Sequence, residues 1–150
     1  MIGWAAVTGT VSIESITLFL IIFMWTPPHF WALALFKSAD YKAAGIPMLP
    51  VVCGDTVTRN QILLYSVLLA PIGLAPTLLG FAGWLYGASA VVLGAVFVWL
   101  AFDVWRKREG AVAHKASVRL FMFSLVYLFA LFALLLVEHV AGWTAIAPGL

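Results

Sequence analysis

Charge is scarce in this sequence. Charged residues make up 9% of its 150 positions, where a soluble domain carries roughly a quarter. That shortage excludes an ordinary soluble fold, and no nucleic-acid partner is expected. Cysteine is nearly absent as well: Cys53 stands alone, so no internal disulfide can form, which fits a reducing side of a membrane. The opening stretch, Met1 to Gly9, has no basic region and no small-residue cleavage site before a short apolar core. No signal peptide is expected there. No internal repeat and no low-complexity tract interrupts the chain, and its length suits one domain.

What is abundant is apolar surface. Hydrophobic residues are 65% of the chain and the mean hydropathy is +1.10. A spanning helix needs about 20 apolar residues. Four stretches qualify, at about 13–36, 60–80, 82–105 and 118–137. Each is apolar all round, unlike the one-sided pattern of a soluble surface helix. The expected fold class is therefore all-α, a transmembrane bundle of about four spanning helices. Thr58-Arg59-Asn60-Gln61 has the form of a capping box and predicts the start of the second span. Gly80 to Gly83 leaves room only for a tight turn, so the second and third spans form a hairpin. Pro27-Pro28 in the first span, and Pro71 and Pro76 in the second, remove backbone donors and predict kinks, which membrane helices tolerate where neighbours satisfy the freed carbonyls. Gly73-x-x-Pro76, Gly80-x-x-Gly83 and Gly87-Ala88-Ser89-Ala90 supply small residues for close helix contact.

The few charges are placed unevenly. All eight basic residues fall in or beside two segments: Lys37, Lys42 and Arg59 between the first two spans, and Arg106, Lys107, Arg108, Lys115 and Arg119 between the last two. The positive-inside rule puts both segments in the cytoplasm and both termini outside. Arg106-Lys107-Arg108 reads as a stop-transfer anchor, and Asp103 as a local partner of Arg106. Trp84, Trp105 and Trp143 read as interfacial belt residues. His114 and His139 fall on opposite sides of the membrane and cannot share a metal.

The densest chemistry is the run Trp25-Thr26-Pro27-Pro28-His29-Phe30-Trp31, followed by Lys37 to Pro50. If the first helix continues to Asp40, residues 29, 33, 36 and 40 share a face, with His29 roughly 16 Å below Asp40. Lys37 lies three residues before Asp40, close enough to pair with it. An acid and a base at the cytoplasmic mouth, with a histidine and aromatics leading inward, suit an amphipathic ligand with an anionic head and a long apolar body. The plainer readings are an interfacial ion pair, lysines that bind lipid phosphate and aromatics that pack or face lipid.

These same strings carry a resemblance. Trp25 to Trp31, then Lys37-x-x-Asp40-Tyr41-x-x-Ala44-Gly45-Ile46-Pro47-Met48-Leu49-Pro50-Val51-Val52, closely resembles the second signature region of the protoheme IX farnesyltransferases, membrane prenyltransferases of the UbiA type. Ile2 to Gly9 resembles the loop just upstream. Beyond about residue 60 the resemblance rests mainly on helix spacing. It implies Mg2+-dependent transfer of a farnesyl group from farnesyl diphosphate to a vinyl group of haem B, giving haem O, in a bacterial plasma membrane. Asp40, Lys37 and Tyr41 would be the catalytic residues, with Asp40 near Mg2+ and Lys37, Lys42 and Arg59 near diphosphate or a haem propionate. Trp25, Phe30 and Trp31 would shield an allylic cation, and His29 would orient haem, ligate its iron or accept a proton.

The family has about nine spanning helices and two acidic motifs. The first, with aspartates four apart, is missing here: Glu14, Asp40, Asp55, Asp103, Glu109 and Glu138 include no such pair. The resemblance thus implies the last four helices of a longer enzyme, whose preceding helices are a required partner, with haem A synthase or terminal oxidase assembly as further partners. Two other functions compete: a non-catalytic haem-binding or assembly protein, and a prenyltransferase acting on a quinone or chlorophyll precursor.

Overall fold

The computed structural model describes residues 2–143. It contains seven helices and, among the described residues, no strand: α1 (Ile2–Thr8), α2 (Ile13–Phe36), α3 (Ser38–Ala43), α4 (Leu49–Cys53), α5 (Asp55–Leu78), α6 (Trp84–Arg106) and α7 (Gly110–Val140). Four of them, α2, α5, α6 and α7, are long and apolar enough to cross a membrane. The chain is an all-α integral membrane protein, as its four apolar stretches predict.

The long helices form a ring. α5 packs mainly on α6 and α2, while α7 packs on α6 and α2, so each helix has two principal neighbours. The core inside the ring draws Ile21 and Leu35 from α2, Ile62 and Leu69 from α5, Tyr86 and Phe97 from α6, and Leu120 and Tyr127 from α7. Outside it, large apolar side chains such as Phe23, Trp99 and Phe129 stand exposed. In lipid this costs nothing, because the tails are as apolar as the side chains.

Glycines set how closely the helices approach. A Cβ on Gly73 would lie 2.5 Å from the Tyr127 hydroxyl, and one on Gly87 would lie 2.9 Å from Thr77 Oγ1. Gly80 does not belong to that group: it has φ +85° and nothing near its missing Cβ, so it serves the α5–α6 turn rather than a contact face. Gly83, at the N-terminus of α6, faces Glu138 of α7, which is fully buried. The Glu138 carboxylate accepts hydrogen bonds from the Gly83 N–H at 2.6 Å and the Tyr86 N–H at 2.8 Å. It thus satisfies two of the donors that a helix start leaves open.

Three local expectations change. α5 starts at Asp55, not at Thr58. Gly54, with φ +84°, makes the turn, and the Thr58 hydroxyl donates back to the Gly54 carbonyl at 3.0 Å as a helix-interior residue. α7 begins at Gly110, so His114, Lys115 and Arg119 lie on helix rather than in a loop. Asp103 pairs with Lys107 at 2.8 Å, one helical turn along, rather than with Arg106. The C-terminal stretch from Glu138 to Leu150, which carries no Lys or Arg, extends past the described residues from 144 on.

Candidate functional site

α2 does not run unbroken to Asp40. Lys37 leaves the helical region at φ −108°, ψ 14°, and α3 starts at Ser38. The shared face of residues 29, 33 and 36 therefore ends with α2, and the spacing to Asp40 worked out for a straight helix does not apply. The local pairing survives the break: Lys37 Nζ lies 3.1 Å from Asp40 Oδ2. Both side chains are open to solvent, at 53% and 69% exposure. Tyr41 is half-buried and Lys42 exposed on α3 beside them. The result is an accessible ion pair at one end of the bundle, with Tyr41 and Lys42 following Asp40 on the same short helix.

Among the described residues no three His, Cys, Asp or Glu side chains come together to hold a metal ion. Asp40 is a lone carboxylate already paired with a lysine. Magnesium asks for several oxygen ligands in a strict octahedron, and this donor set does not complete one.

Deeper along α2 the aromatic run divides by face. His29 is buried. Its ring stacks on Trp25 at 4.3 Å and on Phe121 of α7 at 4.7 Å, with the edge of Phe30 at 5.4 Å. His29 Nδ1 lies 2.6 Å from Ser124 Oγ, and Trp25 Nε1 donates to the Ser124 carbonyl at 2.7 Å. Trp25 also lines an apolar groove of about 370 Å³ with Ile22, Leu125, Leu128, Phe129 and Phe132. Trp31 belongs elsewhere, edge-on to Tyr65 of α5 at 5.3 Å.

Arg59, like His29, is an expected ligand contact that lies buried, with its side chain 6% exposed. Its guanidinium donates to the carbonyls of Val104 at 3.1 Å, Lys107 at 2.5 Å and Arg108 at 3.3 Å, and pairs with Asp55 at 3.5 Å. Val104 lies in the last turn of α6, Lys107 is its C-cap and Arg108 follows it, so Arg59 closes the end of α6 and the start of the next connection. The structure pairs Lys37 with Asp40, leaves Tyr41 and Lys42 beside them on α3, and gathers Trp25, His29 and Phe30 in a second group. It places Arg59 at the end of α6 and Trp31 against α5.

The UbiA prenyltransferase family matches residues 1–125. This chain belongs to that family. The UbiA chain is 62% identical over 142 residues to a protoheme IX farnesyltransferase of Parvibaculum lavamentivorans, covering 95% of this chain and 45% of that protein. It is 56% identical over 148 residues to protoheme IX farnesyltransferase 2 of Nitrobacter winogradskyi, covering 99% and 47%. It is 58% identical over 139 residues to a protoheme IX farnesyltransferase of Rhizobium meliloti, covering 93% and 44%. The UbiA chain thus spans just under half the length of the curated relatives it matches. No solved structure matches it.

Two residues that complete the histidine group, Phe121 and Ser124, were not singled out from the sequence. Ser124 carried a signal: it is a hydroxyl deep in an apolar span, and in lipid such groups bond across helices. Glu138 carried one too, as an acid at the end of a spanning stretch.

Proposed function

We propose that this chain is the part of a protoheme IX farnesyltransferase that carries its second signature region, and that the enzyme transfers a farnesyl group from farnesyl diphosphate to a vinyl group of haem B. The observation that carries the reading is the 62% identity to a curated enzyme of that name over 95% of the chain. The site chemistry supports it. Transfer breaks the allylic C–O bond, the vinyl π pair forms the new C–C bond, and the cation left on the vinyl carbon beside the ring takes up water and releases a proton, so charge must be neutralised on the departing diphosphate. Lys37 and Lys42 supply cationic hydrogen-bond donors at the bundle's end, and Tyr41 supplies a hydroxyl. A Mg2+ ion carried by the diphosphate would neutralise further charge, and this chain offers it one oxygen ligand, from Asp40. The aromatic faces of Trp25 and Phe30 shield an allylic cation from water and attract it. Trp31 buttresses α2 against α5 in this arrangement, and Arg59 holds the end of α6.

The basic residues gather at the α2–α5 and α6–α7 ends, which supports a cytoplasmic position for segments 37–59 and 106–119 and an outside position for both termini. Bacterial relatives support the plasma membrane as location. The helices that precede this region in the relatives, and their own acidic residues, are the required partner for the metal and the diphosphate. Haem A synthase or terminal oxidase assembly is the downstream partner.

The test is to incubate membranes bearing the full-length polypeptide with farnesyl diphosphate, haem B and Mg2+, and to follow haem mass. A farnesylated haem is expected. Haem B left unmodified, or a quinone or chlorophyll precursor prenylated instead, refutes the reading.

A further inference from the structure

His29 is not an ordinary satisfied core histidine. Ser124 Oγ makes two short contacts, 2.6 Å to the Phe121 carbonyl and 2.6 Å to His29 Nδ1. A serine hydroxyl has one proton and a carbonyl has none. The hydroxyl proton must therefore lie toward Phe121, and the second contact needs a proton from the histidine. This fixes neutral His29 as the Nδ1–H tautomer and leaves a lone pair on Nε2. Among the described residues Nε2 has no hydrogen-bond partner, and His29 keeps 8% of its surface exposed. The ring cannot swing freely, because Trp25 and Phe121 stack on it at interplanar angles of 19° and 24°. Trp25 is itself held by the Ser124 carbonyl and forms part of the wall of the neighbouring apolar groove.

An imidazole whose one N–H is tied to an acceptor while its other nitrogen is bare and rotationally fixed is the arrangement that metal-ligating histidines use. We propose that Ser124 is a positioning residue that holds His29 Nε2 ready to ligate the iron of the tetrapyrrole substrate, with Trp25 and Phe121 fixing the plane of the imidazole. This inference rests on the haem reading above. Ligation would orient the disc relative to α2 and α7 and so present one edge of it to the farnesyl donor.

The experiment uses the full-length protein in lipid nanodiscs titrated with ferric haem B and, in parallel, with metal-free protoporphyrin IX. A histidine-ligated ferric haem spectrum is expected for the wild type. His29→Ala removes that signature, and added imidazole restores it. Ser124→Ala weakens haem binding about tenfold while leaving protoporphyrin binding unchanged, and Ser124→Thr, which keeps the hydroxyl, behaves as wild type. Nitrogen-15 NMR of histidine-labelled protein without haem reads the tautomer directly: Nδ1–H in the wild type, lost in Ser124→Ala. An unchanged axial signature in His29→Ala overturns the proposal, as does equal weakening of haem and protoporphyrin by Ser124→Ala, which marks a purely structural serine. The two readings fail separately. Histidine ligation without farnesyl transfer keeps this inference and sinks the enzyme assignment. Farnesyl transfer with no histidine ligation does the reverse.

Discussion

Arg59 and Glu138 hold opposite ends of one helix to which neither belongs. Arg59 reaches from α5 to carbonyls in the last turn of α6 and just beyond it, and Glu138 reaches from α7 to N–H groups at its start. Each charge meets the end of the helix dipole that favours it. Both side chains are buried, so they take the place of water at these open backbone groups and close α6 at both ends. Replacing Arg59 leaves several carbonyls and Asp55 without their cation. Arg59→Met is expected to lower unfolding stability by about 2–4 kcal/mol, measured by denaturation in detergent micelles, and the full loss should persist at high salt because the group is buried. A change below about 0.5 kcal/mol, the range of an ordinary surface substitution, would show that α6 ends without it.

Glu138 makes a sharper case, because its isostere keeps only part of its function. Gln offers one acceptor oxygen and brings an N–H pair toward backbone donors. Glu138→Gln is expected to destabilise nearly as much as Glu138→Ala, by about 1–3 kcal/mol for the buried N–H left unpaired. Hydrogen exchange at Gly83 and Tyr86 should accelerate in both variants. Unchanged exchange there would contradict the capping role.

Across the centre of the ring, Gly73 of α5 faces Tyr127 of α7. The Tyr127 hydroxyl is buried and has no partner among the described residues, while the Tyr86 hydroxyl donates to the Gly73 carbonyl at 2.9 Å. Gly73→Ala should cost about 1–3 kcal/mol by overpacking against that hydroxyl. Tyr127→Phe, which removes an unpaired polar atom, should be neutral or stabilising and should relieve the Gly73→Ala defect. Strict additivity in that double-mutant cycle would show that the two do not touch.

Much of this architecture was legible in the sequence, for physical reasons. Four long apolar stretches leave few alternatives in a membrane, and the Gly80–Gly83 turn fixed the α5–α6 pairing. The three-residue spacing of Lys37 and Asp40 held even though the helix broke between them, since a local pair needs only local geometry. Long-range partners were not legible. No pattern in the chain says that Ser124 lies against His29, that Arg59 closes α6, or that Trp31 and Trp25 face different neighbours, because those facts depend on how the helices are arranged in the ring. Thr58 misled for a related reason: a threonine three residues before a glutamine fits a helix start, yet Gly54 upstream provides a better one.

The most direct test of the account concerns Asp40. Its pair with Lys37 is exposed, so it contributes at most about 1 kcal/mol to folding, and the proposed function gives it a chemical role that stability alone would not reveal. Farnesyl transfer to haem B should be measured with the full-length protein and its Asp40→Ala and Lys37→Met variants, alongside their unfolding stability. The account predicts unchanged stability in both, a fall in turnover of at least about a hundredfold in Asp40→Ala, and a smaller fall in Lys37→Met. Wild-type turnover in Asp40→Ala would contradict it and return the pair to an ordinary interfacial salt bridge.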